Sequence, residues 1–109
     1  MSIKLALLKS GESVIADVKE LISEDKVCGY LFTRPHIVDA RNPILLTEET
    51  EVSGNIEVSL SPWILLTQDK QIPVSPEWIV TIVEPVNTIR QMYEEKVNDQ
   101  DNQTSGTDK

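Results

Sequence analysis

Few side chains in this 109-residue chain are of types that carry chemistry, and their spacing limits what they could do. His36 is the only histidine and Cys28 the only cysteine, with Asp39 close by in sequence. One His and one Cys fall short of the four ligands of a tetrahedral zinc site. A nucleophilic pair also needs a third group to orient the base. Glu48, Glu49 and Glu51 lack the alternating ligand spacing of a calcium loop and read as a solvated loop. The four glycines stand apart, so no loop of backbone amides is set up to cradle a phosphate. No cofactor is expected, and the chain reads as non-enzymatic. What remains is Tyr30, Arg34, His36 and Arg41, the one basic and aromatic concentration in the body of the chain. An aromatic face beside a guanidinium holds single-stranded bases without reading their order. The simpler reading makes His36 a loop residue, places Tyr30 in the core and has the arginines neutralise nearby acids.

Charge weighs on that choice. The net charge is −8, and residues 98–109 account for two of those negative charges, so the body alone stands near −6. A protein that replaces phosphate counterions is usually basic. Any contact with RNA must therefore be local. The single cysteine excludes an internal disulfide and fits a reducing compartment. The apolar run near the start is shorter than a signal peptide requires. No stretch reaches the roughly 18 apolar residues of a membrane helix. A cytoplasmic protein with no membrane partner is expected.

The elements that would position these residues are mostly strands. Ile3 to Leu8 alternates, Lys9-Ser10-Gly11-Glu12 turns, and Ser13 to Leu21 alternates again, which predicts an N-terminal hairpin. Val27 to Thr33 resumes after Pro35 at Ile37-Val38 as one bent or broken strand, with Gly29 marking a bend and Cys28 buried as a small hydrophobe. Ile44-Leu45-Leu46 is expected to cover part of the core. Ile56, Val58 and Leu60 alternate, and after Pro62 the run Trp63 to Leu66 reads as the strand's continuation across a bulge. Gln71 to Val74 is a short strand. Ser75-Pro76-Glu77 is a capped turn, and Trp78 to Val83 is apolar on both faces, so it is either central or covered by a partner. Asn87 is placed to cap a helix over 88–97, with Ile89, Met92, Tyr93 and Val97 on one face. That face packs on its own barrel or receives a protein partner. Residues 98–109 read as a disordered acidic tail. The expected fold is mainly β: a small, strongly bent, five-stranded open barrel over residues 1–85 with a C-terminal α-helix at 86–97.

Three pieces carry a family resemblance. Leu7-Leu8-Lys9-Ser10-Gly11-Glu12-Ser13-Val14-Ile15-Ala16-Asp17-Val18 resembles the first motif of the Sm-like (LSm) superfamily. Ile72-Pro73-Val74-Ser75-Pro76-Glu77-Trp78-Ile79-Val80-Thr81-Ile82 resembles the second, with Ser75-Pro76 where the family carries Arg-Gly. The strand count fits the family's SH3-like barrel. The set looks most like Sm-like proteins encoded by tailed phages of marine cyanobacteria, which would place it in host cytoplasm. The resemblance implies a homo-oligomeric ring in which an edge strand of one subunit pairs with that of the next. Ile56, Val58, Leu60, Trp63, Trp78, Val80 and Ile82 are the candidate interface residues. It also implies possible use of the ring on RNA or on a nucleic-acid-associated partner. The alternative, from a different class, is a small-barrel interaction or assembly module with no nucleic-acid role.

Overall fold

The structure, a computed structural model, describes residues 2–41 and 57–107. The order of elements is β1 (Ile3–Leu8), β2 (Ser13–Ser23), β3 (Lys26–Arg41), β4 (Glu57–Pro62), β5 (Gln71–Val74), a 3₁₀ turn at Pro76–Trp78, β6 (Ile79–Val83) and α1 (Asn87–Thr107). The fold is thus mainly β with one C-terminal helix. All strands belong to one antiparallel sheet in the order β4-β3-β2-β1-β6, and β5 pairs with β3 beyond β4. Six strands form where five were expected. The fourth strand ends at Pro62 instead of continuing across it, because Trp63–Leu66 leave the sheet in bends and a turn.

Local chemistry explains most of this order. Gly11 takes φ +93° in the β1–β2 turn, a conformation open to glycine and strained for a Cβ-bearing residue. β3 runs unbroken through Pro35, yet it serves two partners in succession. Tyr30–Thr33 pair with β5, and His36–Arg41 pair with β4. The change of partner coincides with Arg34, held at φ +52°. Ser75 caps the 3₁₀ turn by accepting from the Glu77 N–H at 3.3 Å. The helix's first bonds run from Ile89 and Arg90 to the carbonyl of Val86, so Val86 occupies the cap position expected of Asn87. α1 also continues past 97 into the segment read as a tail. Its docked first turns supply the costly nucleus, after which each residue adds one backbone bond.

The strands' alternation gives two buried clusters, one on each face of the sheet. Ala6, Leu8, Val14, Ala16, Val18, Phe32 and Val74 form the first. Ile3, Ile15 and Leu60 form the second, where Tyr93 and Val97 of α1 cover them. The helix face read as Ile89, Met92, Tyr93 and Val97 therefore packs on this chain's own sheet. Ile44–Leu46 and Glu48–Glu51 lie outside the described residues.

Candidate functional site

Of the four residues expected to meet RNA, Tyr30 and Arg34 line different crevices and His36 is buried. Tyr30 sits opposite Val74 between β3 and β5, partly buried on the first cluster. Its outer side lines a crevice with Lys4, Lys19 and Ile22. Arg34 lines different crevices, one with Asp17, Tyr93 and Glu94, the other with Asp69 and Lys70. Arg41 ends β3 opposite Glu57, and its side chain lies outside the description.

His36 requires a correction. It is neither a loop residue nor available to RNA: it lies within β3 opposite Ile15 and Pro62, and is 2% exposed. Its Nδ1 stands 2.9 Å from the Arg34 carbonyl oxygen. A carbonyl only accepts, so Nδ1 carries the proton. The ring meets Tyr93 edge to face at 5.7 Å. The Tyr93 hydroxyl donates to the Thr33 carbonyl at 2.9 Å and to that of Arg34 at 3.1 Å. Burial pushes the His36 pKa down from 6.5; the bond to Arg34 opposes this, and the charges of Lys96 and Arg34 add to it. Sequence pattern alone hid the residue because Pro35 looked like a break. With the strand continuous, position 36 falls beneath the helix.

The candidate interface residues also divide. Leu60 is buried under α1, and Val58 packs against the same cluster. Trp63 packs on the first cluster, tilted against Phe32 with ring centroids 6.2 Å apart, and its Nε1–H donates to Glu12 at 3.2 Å. Ile82 is half-buried on that cluster. The side chains of these four pack within this chain. Ile56 lies outside the described residues. Trp78 and Val80 remain exposed, by 46% and 58%. They are joined by Val83 on β6, and at the other border of the sheet by Ile64, Leu65 and Leu66. Sequence reasoning missed that trio by placing it in a strand. The signal was the run of apolar residues directly after a proline.

The two borders differ in backbone chemistry. In an antiparallel ladder the N–H and C=O of one residue point to the same side, and successive residues alternate. The Arg34 N–H bonds the Lys70 carbonyl at 2.6 Å, so Ile72 and Val74 face β3 while Gln71 and Pro73 face outward. The Trp63 N–H bonds the Pro35 carbonyl at 3.0 Å, so Pro62 also faces outward. Both prolines thus remove a donor from the same border. On the other side, the Leu8 N–H bonds Glu12, which turns Leu5 and Leu7 toward β6. Opposite them, Val83 and Thr81 face inward and Ile82 presents a complete amide outward, while Val80 sits at the register shift between the Thr81 and Ile79 pairs. Among the described residues β6 pairs only with β1, and it carries no charged side chain.

Charge lies beside this border rather than on it. Glu84 accepts from Lys4 and from Arg90 at 2.9 Å, and these bonds, Lys4 first, hold its carboxyl below the usual carboxylate range. Cys28, expected to be buried, is exposed near the β2–β3 turn, with its Sγ 3.2 Å from the Leu21 carbonyl. The apolar run around it belongs to a strand end that extends beyond the helix and the facing strands. Among the described residues no three His, Cys, Asp or Glu side chains gather to hold a metal ion. Among the described residues no helix is long and apolar enough to cross a membrane.

No curated protein matches the chain. A family model spanning residues 1–98, nearly the whole described body, does match, and the chain therefore belongs to the Family of unknown function (DUF6561).

Proposed function

We propose that this chain is a non-enzymatic, SH3-like open barrel of the Sm-like kind that assembles into a homo-oligomeric ring. The open, uncharged border of β6 carries the reading. An edge with free amides and apolar side chains is a template for another strand. Ile82 of one copy fits Gln71 of the next, each giving its N–H and accepting at its carbonyl. Pro73 offers its carbonyl alone. Such a head-to-tail joint closes into a ring when the rotation allows. It also brings Trp78, Val80 and Val83 of one copy toward the loop of Ile64, Leu65 and Leu66 on its neighbour, since these groups lie at opposite borders. The strand order and the 3₁₀ turn between β5 and β6 support the barrel resemblance.

Light scattering should give a mass several times 12.3 kDa. Ile82→Pro deletes an outward N–H without removing a bond to β1, and Thr81 before it lies in extended strand backbone, which a following proline demands. The variant should remain folded and run at lower mass. A monomeric wild type sinks the proposal.

Within that ring, Arg34 and Tyr30 are the residues offered to single-stranded RNA, where repetition would strengthen a weak contact. The charge of −8 and the withdrawal of His36 favour the second reading, an assembly module with no nucleic-acid role. Binding of oligo-U and oligo-A at low and physiological salt separates them. No binding at low salt removes the RNA role, and binding lost in Arg34→Ala removes the alternative.

A further inference from the structure

The Arg34 carbonyl oxygen joins three parts of the molecule. It belongs to the bend of β3, accepts from the His36 ring at 2.9 Å, and accepts from the Tyr93 hydroxyl of α1 at 3.1 Å. His36 and Tyr93 are both 2% exposed and touch edge to face. The helix is thus seated on a buried titratable ring. We propose that His36 is a proton-operated latch: when its Nε2 gains a proton, α1 leaves the sheet and uncovers the second apolar cluster.

The protonation step is simple. Nδ1 already holds a hydrogen for the Arg34 carbonyl, so the added proton goes to Nε2 and the ring becomes a cation. A buried cation without full hydration is costly. Charges from the surrounding elements set its size. From β3 itself comes Arg34, and from α1 Lys96, both positive and both opposing the new charge. Asp17 of β2 and Glu94 of α1 line the crevice next to Arg34 and Tyr93 and offset part of this. Asp39 lies three residues along β3 and is exposed. β4 contributes no charged residue between Val58 and Pro62 opposite the ring. Once α1 departs, His36 reaches water and the charge is hydrated.

The sign follows from linkage. The docked ring holds its proton less tightly than a free imidazole of pKa 6.5, for the reasons of burial and neighbouring charge given above. Docking is then fully favourable above about pH 6.5 and weakens as pH falls, by up to about tenfold per unit, until the docked ring itself titrates. Release would expose Ile3, Ile15 and Leu60 together with the apolar helix face, while the first cluster stays closed.

Hydrogen exchange on the full chain tests this between pH 7.5 and 5, with rates corrected for intrinsic pH dependence. Amides 91–97 should lose protection relative to those of β2, by up to about tenfold per unit below pH 6.5. In His36→Gln, which keeps a donor for the Arg34 carbonyl and cannot charge, that loss should vanish. Unchanged helix protection at pH 5, simultaneous loss in helix and sheet, or a loss that persists in His36→Gln overturns the proposal. Should the variant fail to fold, NMR titration of the wild type decides. The His36 ring must titrate below 6.5 with the Tyr93 ring shifting at the same midpoint. A midpoint at or above that value, or a silent Tyr93, overturns it.

Discussion

The two faces of one sheet are stabilised in different ways. The first cluster is apolar throughout: alanine, leucine, valine and phenylalanine side chains from β1, β2, β3 and β5 close on one another. The second cluster shares β1 and β2 and adds Leu60 of β4, yet it needs α1 for cover and includes a phenol hydroxyl and an imidazole beside it. A face that closes on itself has no alternative state short of unfolding. A face covered by a helix that follows the last strand can be uncovered while the sheet remains. Tyr93 fixes the helix in one register, because its hydroxyl must find the carbonyls at the β3 bend. Leucine in its place would bury area without that constraint.

Substitutions on each face break this contrast by different amounts. Phe32→Ala should have the largest effect. It empties the centre of the first cluster, also removes the partner of Trp63, and should cost about 3–5 kcal/mol. Denaturant unfolding should show one earlier transition for sheet and helix together. Tyr93→Phe keeps the ring and deletes the hydroxyl, so about 0.5–1.5 kcal/mol is expected. Here limited proteolysis should cut within α1 sooner, while Trp63 fluorescence stays native. Glu84→Gln should matter least. Its two cationic partners are solvent-accessible, so the midpoint should move only at low salt and not at physiological ionic strength. The depressed Glu84 titration implies that its contribution exists above the ordinary carboxylate range and fades as pH falls through the lowered value.

Much of this was visible in the residue order. The β1–β2 hairpin, the β5 strand, the Ser75 cap and the helix face follow from alternation, turn residues and helical spacing, each a local signal. β6 also had a clear signature, since apolar residues on both faces demand cover. Its place at the sheet's border is a matter of topology, which periodicity does not encode. The failures have a common origin. Pro35 and Pro62 look alike in a sequence, yet β3 continues through one and β4 ends at the other. The difference lies in the partner strands. His36 was misplaced for that reason, and Trp63 was read into a strand because its packing on Phe32 depends on a turn no pattern announced. Cys28 lies in an apolar run that no facing element covers. The outward aim of Pro62 and Pro73 required the hydrogen-bond parity of two ladders, information that exists only after folding.

Those two rings have a further bearing on how the chain avoids fibres. With Pro62 and Pro73 each lacking an outward hydrogen, stacking of like border on like is starved of donors, and unlimited sheet growth through that side stalls. Exchanging both for threonine would restore a full row of amides and leave the molecule adhesive on two flanks, a recipe for amyloid-like precipitation rather than a finite particle.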